Sequence, residues 1–161
     1  MDTTLEVRAG DLLRQRGLRL AAAESCTGGL VGHRVTNIPG SSTYYMGSVT
    51  AYAYEAKVRL LGVKWDTLEA HGAVSDLVVE EMANGVRRAM AADIGISISG
   101  IAGPSGGTPE KPVGLVHFGL SSVDGVWAMH QTFNGDRIAV KEQAADYILS
   151  FLIDYLEGRL K

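Results

Sequence analysis

The stretch Leu18-Arg-Leu-Ala-Ala-Ala-Glu24-Ser-Cys-Thr-Gly-Gly29 decides how the rest of the chain is read. A short, mostly apolar run from Leu18 to Ala23 breaks at a polar, glycine-containing turn. A helical pattern then opens at Leu30 and lasts to Val35, before Pro39-Gly40. Strand, polar turn and helix in that order are the unit from which α/β sheets are built. Outward from it the same alternation recurs. Thr3 and Glu6 fit a capping box for a first helix that ends at Gly17. Met46 to Ala53, rich in Val, Thr and Tyr, reads as a second strand running into a short helix over Tyr54 to Gly62. Asp66 and Glu69 mark another helical turn, and Ser75 caps a helix in which Val78, Met82, Val86 and Met90 recur every four residues.

Ile94, Ile96 and Ile98 alternate with Gly95, Ser97 and Ser99 as a third strand, followed by a glycine-rich loop from Gly100 to Gly114. Leu115 to Leu120 and Val126 to Phe133 flank the turn Val123-Asp124-Gly125 as a hairpin. An apolar period running from Asp136 to about Arg159 makes a long final helix. The order αβαβααβββα predicts a three-layer α/β/α sandwich on a mixed, mostly parallel sheet, formed as one domain over residues 1–161.

Composition bounds the function. The chain has 161 residues, 46% hydrophobic and 20% charged, with net charge −3, and a chain of this length buries roughly 70% of its unfolded surface without staples. Its one cysteine, Cys26, allows no internal disulfide and fits a reducing, cytoplasmic setting. No apolar stretch approaches the ~20 residues of a membrane span, and the N-terminus lacks a secretion-signal core, so no membrane partner is expected. Fifteen basic against eighteen acidic residues, without a basic run, argue against direct nucleic-acid binding.

Active sites in open α/β sheets lie at the carboxyl ends of strands, which directs attention to the turns after residues 23, 53 and 99. Ser25 sits there beside the amides of Thr27, Gly28 and Gly29 at a helix start. It reads either as a helix cap or as a nucleophile whose oxyanion those amides would stabilise. A serine nucleophile needs a base. Of five lysines only Lys57 follows a strand end in apolar surroundings, and it reads either as that base or as a solvated side chain. Tyr52 either assists it or is an ordinary aromatic. Cys26 is the rival nucleophile. The histidines at 33, 71, 117 and 130 show no ligand spacing, so no metal site is expected. The loop holding Gly100, Gly103, Gly106 and Gly107 could approach a phosphate or an oxyanion, but it leads into a strand and carries no Walker signature. Arg137 at the final helix start could hold a phosphate.

Seven motifs in order, AESCTGG (23–29), PGSS (39–42), YxxEAK (52–57), HGAVS (71–75), SGIAGPxGG (99–107), KPVG (111–114) and GDR (135–137), make the chain resemble the CinA C-terminal domain family over nearly its whole length. The resemblance implies a nicotinamide-nucleotide amidohydrolase that converts nicotinamide mononucleotide to nicotinic acid mononucleotide and ammonia without a cofactor. It assigns catalysis to Ser25, Tyr52 and Lys57 and a substrate-site role to Arg137. The family habit of packing domains together favours a homodimer. Many members carry a further N-terminal domain associated with pyrophosphatase activity, which is not expected of this sequence. Tyr54 departs from the small polar residue frequent there and would reshape the pocket. The alternative implied by the family name is an interaction module linked to competence and DNA damage, with a vestigial or different amidase site.

Overall fold

The computed structural model describes residues 3–160, and within them the strands and helices follow the expected alternation. Helix α1 (Leu5–Arg16) leads to β1 (Leu20–Glu24), α2 (Leu30–Thr36), β2 (Tyr45–Thr50), α3 (Tyr54–Leu61), α4 (Trp65–His71) and α5 (Asp76–Ala89). Then come β3 (Ile94–Gly100), β4 (Leu115–Ser122), β5 (Gly125–Thr132) and α6 (Arg137–Leu156). Three helices separate β2 from β3: the helical turn expected at Asp66 and Glu69 is a helix of its own, set off because Gly62 takes a left-handed conformation (φ 70°) that stops α3 and Gly72 (φ 75°) stops α4. The first helix is capped by Thr4, whose hydroxyl accepts from Val7 N, and not by Thr3.

The five strands form one mixed sheet in the order β2-β1-β3-β4-β5. Both β1 pairings are parallel and both β4 pairings antiparallel, so the parallel share is half because the hairpin supplies the other half. β1 is buried on both faces, which is why it reads as an unbroken apolar run. Its Leu20 and Ala22 face a core shared with α1, α2 and α6, while Ala21 and Ala23 face a second core shared with α3 and α5. β3 divides in the same way. Ile94, Ile96 and Ile98 fill the α6 side, whereas Gly95 and Ser97 let α5 lie close. A Cβ on Gly95 would stand 2.2 Å from Ala83 O, and Ser97 Oγ donates to Val79 O at 2.5 Å. The alternation of isoleucine with small residues is thus a packing requirement of the two layers. No helix among the described residues is long and apolar enough to cross a membrane.

This topology sets the site. The chain leaves β1 through α2 on one face to reach β2, then passes over the other face through α3, α4 and α5 to β3 on the opposite side of β1. The crevice between the carboxyl ends of β1 and β3 is therefore a topological switch point.

Candidate active site

Glu24, the last residue of β1, is fully buried and turns its carboxylate onto the start of α2. It accepts from Val31 N (2.9 Å), Gly32 N (3.0 Å) and the Thr27 hydroxyl (2.7 Å). Three donors, two of them amides at the positive end of the helix, satisfy a charge that burial would otherwise penalise. The contacts also fix the turn Ser25 to Gly29. Ser25 N donates to Ile98 O (3.0 Å), holding the serine against β3, and Ser25 O accepts from Gly28 N (3.0 Å).

Opposite the serine, the segment expected to continue β2 to residue 53 leaves the sheet after Thr50. Ala51 N still donates to Glu24 O (2.8 Å), but the carbonyls of Ala51 and Tyr52 turn toward Lys57 on the first turns of α3. Lys57 is 1% exposed. Its Nζ lies 3.0 Å from Ala51 O, 3.1 Å from Tyr52 O and 3.0 Å from Ser25 Oγ. Burial lowers its pKa from 10.5 to about 8. A neutral amine has two N–H groups and one lone pair, and a carbonyl only accepts. The two carbonyls take the two protons, so the lone pair of the neutral lysine faces the Ser25 hydroxyl. The same burial pushes the Cys26 thiol up to about 11, which leaves it protonated at neutral pH and a poor rival nucleophile.

A cavity of about 200 Å³ opens over this pair, with walls that include Ser25, Lys57, Tyr54, Val74, Gly100 and Arg137. Arg137, the first residue of α6, donates to Gly103 O (2.7 Å) and to the Tyr52 hydroxyl (3.0 Å) at the cavity mouth. Tyr52 therefore meets Lys57 through its main-chain carbonyl, while the residue is 62% exposed and its hydroxyl accepts from Arg137. Tyr54 lines the cavity and accepts from Ala73 N (3.3 Å), tying down the wall formed by the α4–α5 loop.

The other expected substrate-binding residues separate into two groups. Gly100 reaches the cavity. The phase of the β3–β4 ladder, set by the bond from Ile101 N to Leu115 O, makes Gly100 and Val116 a close, non-hydrogen-bonded pair. The Gly100 amide thus points away from β4, toward the edge that β1 vacates when it turns at Ser25. Gly103 offers its carbonyl to Arg137. Thr27 turns inward to Glu24, and Gly28 and Gly29 adopt positive φ to make the turn rather than lining the cavity. Gly106 and Gly107 also lie off the cavity, and a Cβ on Gly107 would meet Val113 N at 2.7 Å.

Two features escaped sequence reasoning. Glu24 reads in the sequence only as the start of a polar turn, yet it is the buried polar anchor of the site. His117 and His130, scattered in sequence, are cross-strand partners, and with Asp76 they form a cluster on the wall of a neighbouring cleft of about 510 Å³.

The sequence profile of the CinA C-terminal domain matches residues 2–156. A CinA-like protein of Salinibacter ruber is 50% identical over 148 residues, covering 92% of this chain and 36% of that protein. One from Thermotoga maritima is 46% identical over 158 residues, covering 98% of this chain and 38% of its own length. The chain thus spans under two-fifths of the length of these curated relatives. Among solved structures, a competence-damaged protein (CinA) superfamily protein from Klebsiella pneumoniae superposes with a TM-score of 0.92 at 37% identity, covering 95% of this chain and 96% of that one. Another from Escherichia coli gives 0.89 at 32% identity, covering 94% and 90%. Fold, length of match and identity agree, and the chain belongs to the CinA C-terminal domain family.

Proposed function

We propose that the protein is a serine amidohydrolase that removes ammonia from the carboxamide of nicotinamide mononucleotide, with Ser25 as nucleophile and Lys57 as base. The observation that carries this reading is the buried Lys57 amine, held by two carbonyls with its remaining position 3.0 Å from Ser25 Oγ. Ser25 Oγ attacks the amide carbon while Lys57 accepts the hydroxyl proton and then delivers it to the departing ammonia. Water, activated by the same amine, hydrolyses the acyl ester and releases nicotinic acid mononucleotide.

Ser25 N is committed to Ile98 O, so the amides of Cys26 and Gly100 are the donors assigned to the tetrahedral oxyanion. Each well-placed donor contributes roughly 3 kcal/mol. A cavity of about 200 Å³ is smaller than the ~300–1,000 Å³ that encloses a whole drug-sized ligand. It suits the pyridine carboxamide, leaving the ribose phosphate at the mouth, where Arg137 supplies a charged fork. The pyridinium cation disfavours the ammonium form of Lys57 by like-charge repulsion and so keeps the base active in the complex.

The test is ammonia and nicotinic acid mononucleotide formation by the purified chain in the presence of a chelator, with Ser25→Ala and Lys57→Met alongside. Turnover lost in both variants is the expected result. Turnover retained by Ser25→Ala, or none from folded wild type, rejects the assignment.

A further inference from the structure

β4 and β5 are joined by the two-residue turn Val123–Asp124, which sets residue 117 opposite residue 130. The bond from Phe133 N to Gly114 O fixes the phase of this ladder and makes His117 and His130 a non-hydrogen-bonded pair, the kind whose side chains approach most closely. Their rings stack with centroids 4.9 Å apart and planes inclined by 28°. α5 crosses this face of the sheet, and its first residue, Asp76, brings a carboxylate to the same point. His117 Nδ1 is 2.7 Å and His130 Nδ1 3.8 Å from the one oxygen Asp76 Oδ1. One donor atom from each residue lies within 4.8 Å of the other two. A hairpin and a helix distant from it in sequence thus bring two imidazoles and a carboxylate to a common position.

We infer that Asp76, His117 and His130 bind one divalent transition-metal ion, with zinc the best match. Imidazole nitrogen with a single carboxylate is a donor set of intermediate softness that suits zinc, nickel or iron(II) rather than calcium or magnesium, which prefer oxygen. Ligand distances of about 2.0–2.2 Å are reached by small side-chain rotations, because Asp76 and His130 are exposed on their outer sides. Three protein ligands leave at least one coordination position open toward the cleft of about 510 Å³, where Lys111 and His71 face it. The ion pins the first turn of α5 to the hairpin. Val74, two residues before Asp76, lines both this cleft and the cavity over Ser25, so the same pin steadies a wall of the candidate active site. The site is separate from the Ser25–Lys57 pair, and metal binding does not require that pair to be an amidase.

The test uses the full chain, stripped with a chelator and dialysed, and titrated with zinc chloride against a competing chromophoric chelator. The expected stoichiometry is one zinc per chain. Loss of an outer partner of a metal site already weakens binding by about 10–100-fold, and loss of a direct ligand should weaken it at least as much. His130→Gln is the deciding variant because the His130 side chain is 60% exposed and its replacement leaves the core untouched. His117→Ala and Asp76→Asn should weaken binding similarly, and cobalt substituted for zinc should show visible absorption in the wild type that His130→Gln lacks. Zinc should also raise the melting temperature of the wild type and not of His130→Gln. No uptake by the wild type at micromolar zinc, or equal uptake by His130→Gln, overturns the inference.

Discussion

Replacing Lys57 by Met tests whether the amine is as hard to charge as its surroundings demand. Burial lowers its pKa from 10.5 to about 8, a difference worth about 3 kcal/mol between the protonation states. The sign follows from linkage. Between pH 8 and 10.5 the unfolded chain holds the proton and the folded chain does not, so wild-type stability rises with pH across that window and carries the full penalty below it. Methionine fills similar volume and has no such penalty. It leaves the carbonyls of Ala51 and Tyr52 and the Ser25 hydroxyl without their shared partner, at a cost of about 1 kcal/mol each. The two effects nearly cancel at pH 7, where the variant should be within about 1 kcal/mol of wild type while turning over no substrate. At pH 10 the wild type should have gained about 2–3 kcal/mol relative to the variant. Urea denaturation of both proteins at pH 7, 8.5 and 10 measures this directly. Cys26, whose thiol burial pushes up to about 11, is present in both proteins, and its contribution differs between them only through its charge interaction with Lys57, a smaller effect than burial. Parallel stability curves from pH 7 to 10 would refute the reasoning, since they would mean that the folded protein holds the Lys57 proton as tightly as water does.

Three further outcomes follow from the geometry. The pH dependence of kcat/KM should show an ascending limb near 8, where free-enzyme Lys57 loses its proton, and a flat profile from pH 6 to 9 would exclude that base. Arg137→Ala should raise KM for nicotinamide mononucleotide by about 10–100-fold, the worth of a charged hydrogen bond, and leave turnover of the phosphate-free riboside unchanged. An equal effect on both substrates would remove the phosphate from Arg137. Glu24→Gln should lower stability by about 1–3 kcal/mol in thermal or urea melts, because a Gln NH₂ group would face an amide donor at Val31 or Gly32. A variant as stable as wild type would show that the charge at the α2 start is dispensable.

Much of this was legible in the chain because the deciding signals are local. A strand apolar throughout, as in Leu20 to Ala23, is buried on both faces and so lies inside a sheet, and the polar residues just past its end lie in the crevice. Position just past a strand end made Ser25 and Lys57 candidates, each beside a blander reading as a helix cap or a solvated side chain. What stayed hidden depends on register or on the reuse of a polar group. Reading the hairpin turn as Val123-Asp124-Gly125 centres it on Asp124 and would oppose His117 to residue 131. Gly125 instead opens β5, the turn has two residues, and the centre moves by half a residue, which brings His117 to His130. A one-residue slip in register sends a side chain to the other face, so the histidine pair could not be found until the turn was known.

Glu24 shows why the remaining part was not legible. A glutamate beside Ser-Cys-Thr-Gly-Gly suggests solvent, since an isolated buried carboxylate is costly. Here the cost is met by the first amides of α2, which need an acceptor in any case. The same residue passes its backbone carbonyl to Ala51 N, so it joins the Ser25 turn to the segment whose two carbonyls hold Lys57. Ser25, just past β1, and Lys57, on α3 beyond β2, are 32 residues apart in the chain, and Glu24 joins the two segments that bring them to 3.0 Å. The serine and the lysine can be nominated by position and chemistry, but their mutual distance is a property of this buried carboxylate and of the parallel pairing of β1 with β2.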